Sequence, residues 1–273
     1  MFQAKAKVIK NIAVTQKCYK IVLLCHALSK GAQPGQFLMV KVDNGSEVLL
    51  RRPFGIHAAN GRSAEILYEV VGRGTEILTR KKPGEYLDII GPLGKGFSIL
   101  DPRSSILVAG GIGVAPLLFL AEEIVARLPV CRTGRDGQAG QSRKVTSKPL
   151  VLIGAKTKKQ ILCEKEFKKS GCEVEISTDD GSKGFKGKVS ELLKRELSTV
   201  NCQQSAIYAC GPKPMLQEIG RIAKKYKIPA QISLEEHMAC GIGACLGCVV
   251  KTKQGLKRVC KEGPVFSAEE IIW

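Results

Sequence analysis

The chain has 273 residues, a formal charge of +18 and eleven cysteines. That length is generous for one domain and suits two with a small appendage. No stretch reaches the ~20 apolar residues of a membrane span, and the opening MFQAKAKVIKN lacks the apolar core and cleavage site of a secretion signal. The positive charges alternate with acids or lie on helix faces, as in EKEFKK and RIAKKYK, and five tyrosines and one tryptophan supply little for base stacking. A solvated basic surface facing an acidic partner is expected, not a nucleic-acid groove. Outside a C-terminal group the cysteines (Cys18, Cys25, Cys131, Cys163, Cys172, Cys202 and Cys210) are odd in number and scattered. That argues for a reducing, intracellular setting over a disulfide framework.

Up to about residue 101 the chain reads as short strands: AKAKVIK, YKIVLL, GQFLMVKV, FGIHAA, AEILYEVV and EYLDII. Breakers punctuate them at 29–35, 44–46, 60–63 and 82–84, and a short helix fits GTEILTRK. Strands at this spacing predict an antiparallel β-barrel or sandwich over 1–101. From 102 to 230 the pattern changes. The apolar strands SSILVAGG, PLVLIGAK, CEVEISTDD and SAIYACGP alternate with helical periodicity in VAPLLFLAEEIVARL and KPMLQEIGRIAKKYK. On the last helix Met215, Leu216, Ile219, Ile222, Ala223 and Tyr226 mark one face. This predicts an α/β domain with a parallel sheet. A Gly/Ser/Arg-rich stretch at about 129–149 has no apolar period and reads as a surface insertion. The remainder, 231–273, forms a third, small segment.

That last segment carries Cys240, Cys245, Cys248 and Cys260 in the order C-x4-C-x2-C-x11-C. The first three follow the plant-type spacing of a [2Fe–2S] cluster. Gly241, Gly243 and Gly247 let the backbone curl and aim N–H groups at sulfur, whereas zinc usually takes two C-x2-C pairs or Cys/His mixtures. Buried structural thiols are the plain alternative. In LVAGGIGVAP, Gly110, Gly111 and Gly113 sit at a strand-to-helix turn, where a pyrophosphate meets both backbone and helix N-terminus. The spacing is not G-x-G-x-x-G, and glycines at such a turn also serve packing alone. CGPKPM ends a later parallel strand, which puts Cys210, Gly211 and Pro212 beside the first loop. In the barrel, RRPFG offers Arg51 and Arg52 for a phosphate and Phe54 for a flat ring, and YEVVGRGT supplies a glycine loop before Thr75. A surface arginine pair and an ordinary turn explain those residues equally well on physics alone.

RRPFG, YEVVGRGT, GPLGKGF, GGIGVAP, DDGSKG, CGPKPM and EEHMACGIGACLGCVV follow one another in this order over almost the whole chain. Together they resemble the ferredoxin-reductase superfamily, and within it the electron-transfer subunits of heteromeric NAD-dependent dihydroorotate dehydrogenases. The resemblance implies an FAD-binding barrel, an NAD-binding α/β domain and a [2Fe–2S] domain. It implies FAD contacts from Arg52, Pro53, Phe54, Gly55, Tyr68, Glu69, Val70, Gly74 and Thr75. NAD is then faced by Gly110, Gly111, Gly113, Cys210, Gly211 and Pro212, and the cluster is held by the four cysteines. It further implies an FMN-containing catalytic subunit as partner, two copies of each in a cytoplasmic heterotetramer, and a role in pyrimidine biosynthesis. Electrons from dihydroorotate would pass through the cluster to FAD and on to NAD+, with no dihydroorotate site in this chain.

Two departures stand out: Gly55 replaces the family's usual serine, and the 129–149 insertion is longer than usual. Other diaphorase-like subunits tend to carry an acid in place of the first cluster cysteine, present here as Cys240. A flavin-free electron carrier is favoured by Gly55 alone. An acid after the second parallel strand would favour NAD over NADP. The sequence offers Ala155, Lys156, Thr157 and Lys158 there, so only the resemblance points to NAD.

Overall fold

The computed structural model describes residues 2–43, 45, 48–101, 104–128, 148–199 and 205–273. The insertion expected at 129–149 lies almost wholly outside them, as do Cys131 and Cys202. The first sheet has seven antiparallel strands: β1 (Phe2–Ala13), β2 (Cys18–Leu24), β3 (Phe37–Lys41), β4 (Arg52–Gly55), β5 (Ala58–Asn60), β6 (Ser63–Glu69) and β7 (Tyr86–Leu93). Their order is β4-β3-β7-β1-β2-β6-β5. Alternation buries Ile21, Leu23, Leu38, Val40, Ile66, Tyr68, Leu87 and Ile89 inside it. A short helix, α1 (His26–Ser29), occupies the stretch before β3, and α2 (Arg73–Thr79) falls where GTEILTRK predicts it. The single strand expected over FGIHAA is instead two, β4 paired with β3 and β5 with β6. Between them the Ile56 N–H bonds the Gln36 carbonyl while the His57 N–H bonds the Glu65 carbonyl, so the chain changes partners at that point.

The second sheet runs β11-β10-β9-β8-β12-β13-β16. Its strands are β8 (Ser105–Gly110), β9 (Leu150–Ala155), β10 (Glu173–Thr178), β11 (Phe185–Lys186), β12 (Ala206–Cys210), β13 (Ala230–Ser233) and β16 (Val265–Ser267). All neighbours are parallel except β16 on β13. Helix α3 (Val114–Ala126) has nine of its 13 residues buried, because one side packs on the sheet and Phe119 enters the barrel core. Pro116 is tolerated in its first turn, where a backbone N–H has no helical partner. Helices α4 (Glu164–Lys169), α5 (Val189–Thr199) and α6 (Lys213–Tyr226) complete the layers. The α6 face buries Leu216, Ile219, Ile222 and Ala223 as the periodicity requires. Tyr226, expected on that face, is instead partly exposed at the helix end with the Lys225 ammonium near its ring.

The C-terminal segment adds the hairpin β14 (Val249–Thr252) and β15 (Gly255–Arg258) before returning through β16 to the parallel sheet. Cys248, Val259, Cys260, Phe266 and Ile271 join the core formed by α5, α6 and the sheet. No helix among the described residues is long and apolar enough to cross a membrane.

Candidate functional site

Strand order reverses direction between β8 and β12, and ligands of open α/β sheets settle at such a switch point beyond the strand C-termini. A cleft of about 1350 Å³ opens there. Gly110, Gly111, Gly154, Lys156, Thr157 and Pro212 line it from the α/β side, and Lys17, Cys18 and Glu69 from the barrel side. The glycines divide by role. A Cβ on Gly113 would lie 2.2 Å from the Cys210 carbonyl oxygen, and one on Gly211 would lie 3.0 Å from Gly110 Cα. Those two let the loops touch backbone to backbone. Gly111, at φ +55 with open space where its Cβ would be, turns its backbone toward the cleft. Cys210 is buried and Pro212 of its loop lines the cleft; burial, with Glu235 nearby, pushes the Cys210 thiol up.

Of the barrel residues expected at FAD, Glu69 lines this cleft, and the others lie in β4, around the end of β6 and in the first turn of α2. Arg51, just before β4, and Arg52, its first residue, reach different partners. Arg51 donates to the Asp88 carboxylate and carbonyl, both at 2.7 Å. Arg52 donates to the Leu50 carbonyl at 2.7 Å and lies across Gly74, where a Cβ would be 2.9 Å from its Nε. Thr75 closes the neighbouring loop, its hydroxyl donating to the Gly72 carbonyl at 2.8 Å and accepting from the Val71 and Gly72 N–H groups. Gly55 faces Pro116 of α3, with 3.9 Å between a Cβ there and the proline ring. Pro53 is half-buried and Val70 bonds the Lys17 carbonyl at 2.8 Å. Tyr68 and Phe54 are turned into the barrel core, ring centroids 5.7 Å apart, and the Tyr68 hydroxyl donates to Asn11 at 3.3 Å. The Tyr68 side chain therefore packs inward, while the next residue, Glu69, lines the cleft.

The cysteine loop packs against the barrel. A Cβ on Gly241 (φ +71) would lie 2.3 Å from Met39 Cγ, and Met39 is paired in register with Pro53 of β4. One strand spacing, about 4.8 Å, thus separates the strand under the cysteines from the Arg52–Gly55 strand. Cys240 Sγ accepts N–H bonds from Ala244 at 3.3 Å and Cys245 at 3.4 Å. Burial works to raise the Cys240 thiol, but the N–H groups of Cys245, Ile242 and Ala244 outweigh it and bring the pKa down to about 6. Cys248 Sγ accepts from the Cys260 N–H at 3.4 Å. Cys245 is thus tied to the Cys240 sulfur and Cys260 to the Cys248 sulfur, each through a backbone N–H. A binuclear cluster, whose two irons each take two thiolates, matches that pairing. Cys245 is exposed, with exposed Ile242 and Leu246 beside it, whereas Cys248 and Cys260 are buried.

Sequence reasoning overlooked three residues at these junctions. Met39 carries the cysteine loop, and its apolar strand offers no cue to that role. His57 is buried with its Nδ1 donating to the Ala115 carbonyl of α3 at 2.9 Å, which ties barrel to α/β domain. Arg258 donates to the Gly243 carbonyl at 2.8 Å, and its i,i+4 spacing from Glu262 across Cys260 is the only signal in the sequence.

Fold and cleft define a ferredoxin-reductase-type oxidoreductase. The structure matches that of an NADH-dependent reduced ferredoxin–NADP oxidoreductase with a TM-score of 0.81 and 25% identity, covering 99% of this chain and 90% of the other. A ferredoxin NADP+ reductase from Neisseria gonorrhoeae, solved with FAD and NADP, shares the fold at a TM-score of 0.65 and 14% identity, covering 82% of this chain and 91% of that one. Family models match at residues 107–221, an oxidoreductase NAD-binding domain, and at 235–272, the iron-sulfur cluster binding domain of dihydroorotate dehydrogenase B. The dihydroorotate dehydrogenase B (NAD(+)) electron transfer subunit of Desulforamulus reducens is 38% identical over 98% of this chain and 97% of its own length. That of Caldanaerobacter subterraneus subsp. tengcongensis is 38% identical over 100% and 99%. The chain belongs to the family of dihydroorotate dehydrogenase B electron transfer subunits.

Proposed function

We propose that this chain takes electrons from a catalytic subunit that oxidises dihydroorotate and delivers them to NAD+. The observation that carries this reading is the continuity of three sites. The cysteine loop rests on β3, β3 pairs with the Arg52–Gly55 strand, and the adjoining Glu69 bounds the cleft shared by Gly111 and Pro212. When bound, a [2Fe–2S] centre supplies single-electron transfer, and FAD links single electrons to the hydride that NAD+ accepts. In this reading Cys240, Cys245, Cys248 and Cys260 hold the cluster. Arg52 neutralises an FAD phosphate, while the β4 backbone, Val70, Gly74 and Thr75 shape the flavin cradle. Gly111 and the Cys210–Gly211–Pro212 loop admit the dinucleotide, with Gly110 and Gly113 keeping the two loops in contact. The segments 1–101, 102–230 and 231–273 divide these tasks. The partner carries FMN, the assembly contains two of each subunit, and it serves pyrimidine synthesis in the cytoplasm.

Reconstitution tests the reading. The chain alone should oxidise NADH with ferricyanide and leave dihydroorotate untouched. Adding the catalytic subunit should create NAD-dependent dihydroorotate oxidation. Cys240→Ser or Cys245→Ser should abolish that coupled activity and the reduced-cluster paramagnetic signal while sparing the ferricyanide reaction, because a hard alkoxide replaces thiolate poorly on iron. Full coupling in the serine variants, or dihydroorotate oxidation by the isolated chain, overturns it.

A further inference from the structure

The hairpin that closes the cysteine loop ends in a charge pair with no part in the electron path described above. Arg258 lies two residues before Cys260. Its backbone N–H donates to Glu262 Oε2 at 2.8 Å, its Nε to the same oxygen at 3.0 Å, and its Nη2 reaches Oε1 at 2.5 Å. The remaining guanidinium nitrogen, Nη1, donates to the Gly243 carbonyl at 2.8 Å. Gly243 sits between Cys240 and Cys245 at φ +85, so the planar guanidinium links the Cys260 turn to the Cys240–Cys245 loop. Both side chains are about three-quarters buried, 28% and 26% exposed, which limits solvent screening of their charges.

We propose that Arg258 and Glu262 form a positioning pair that sets the reduction potential of the centre held by the four cysteines. This rests on the reading of those cysteines as [2Fe–2S] ligands. Arg258 orders the cysteine loop through the Gly243 carbonyl, and its positive charge favours the reduced, more negative form. Glu262 holds the guanidinium in place and opposes that charge. Net charge and hydrogen bonding around a cluster are among the main determinants of its potential, so removing either member moves the potential in a direction fixed by the sign removed. Loss of packing alone has no such sign rule.

The test uses the full chain purified without oxygen, as wild type, Arg258→Gln, Glu262→Gln and Arg258→Lys. Iron and sulfide content are measured first, then the midpoint potential by a redox titration followed by paramagnetic resonance. The expected result is a more negative midpoint in Arg258→Gln and a more positive one in Glu262→Gln. Arg258→Lys should keep a midpoint close to wild type yet lose iron faster, since an ammonium retains the charge without the fork. Glutamine variants that leave the midpoint unmoved, or move it in the same direction, overturn the inference. Should Arg258→Gln fail to load iron, Glu262→Gln decides: no positive shift overturns it. A wild type without iron and sulfide overturns the reading of the cysteines, and this inference with it; loaded protein with unmoved midpoints overturns the inference alone.

Discussion

Adjacent arginines with separate tasks give the sharpest test of the flavin cradle. Arg51 is spent on Asp88 through two contacts of 2.7 Å, with the pair's side chains 19% and 26% exposed. Arg52 donates to the Leu50 carbonyl and rests on Gly74 at the loop before α2. If Arg52 neutralises an FAD phosphate, Arg52→Ala removes a charge-assisted hydrogen bond worth about 1.5–3 kcal/mol. That corresponds to FAD binding weakened roughly tenfold to a hundredfold. Arg51→Ala instead removes a structural ion pair worth about 1 kcal/mol, lowering the melting temperature by about 2–4 °C. Gly74→Ala adds an independent perturbation. Its Cβ would sit 2.9 Å from Arg52 Nε and 3.3 Å from Cγ, displacing the arginine without deleting it. FAD titration by flavin fluorescence, beside thermal unfolding of each apo variant, separates the effects. Arg52→Ala and Gly74→Ala should lose FAD affinity at nearly unchanged melting temperature, and Arg51→Ala the reverse. Equal FAD loss in the two arginine variants would refute the assignment.

Two further outcomes follow from geometry at the junction of barrel and α/β domain. Gly55→Ser should fit, since its Cβ meets only Pro116 at 3.9 Å. A regained hydroxyl contact to flavin is worth about 0.5–1.5 kcal/mol, so FAD should dissociate up to roughly tenfold more slowly; unchanged or faster release counts against a flavin lying along β4. His57 should make stability acid-sensitive. Burial lowers its pKa most; the bond to the Ala115 carbonyl acts the other way, Lys20 lowers it and Glu65 and Glu166 raise it. With a folded pKa below the unfolded value of about 6.5, the unfolded chain binds the extra proton. The stability is therefore complete above about pH 6.5 and declines on acidification below it. In His57→Gln the melting temperature should fall less steeply between about pH 6.5 and 5, and a slope identical to wild type would exclude this role.

Short-range information in the sequence reached far into this protein. The C-x4-C-x2-C spacing, the glycine turn after β8 and the periodicity of α3 and α6 are properties of contiguous residues, and they appear as strands, turns and helices where expected. Local pattern failed where a residue's partner is distant in the chain. FGIHAA splits into β4 and β5 because Ile56 bonds Gln36, just before β3, while His57 bonds Glu65 of β6. The division of the glycines, with Gly113 pressed on Cys210 and Gly111 open, exists only once two loops almost a hundred residues apart are brought together at the strand switch point. Alternation along RRPFG sends Arg51 and Arg52 apart, but that Arg51 is held by Asp88 shows only in the tertiary structure. The seating of the cysteine loop on Met39, and with it the succession of cysteine loop, β3 and β4, comes from packing between residues about two hundred positions apart. Spacing along the backbone fixes which chemistry a segment supports, while the close approach of distant segments fixes which sites adjoin.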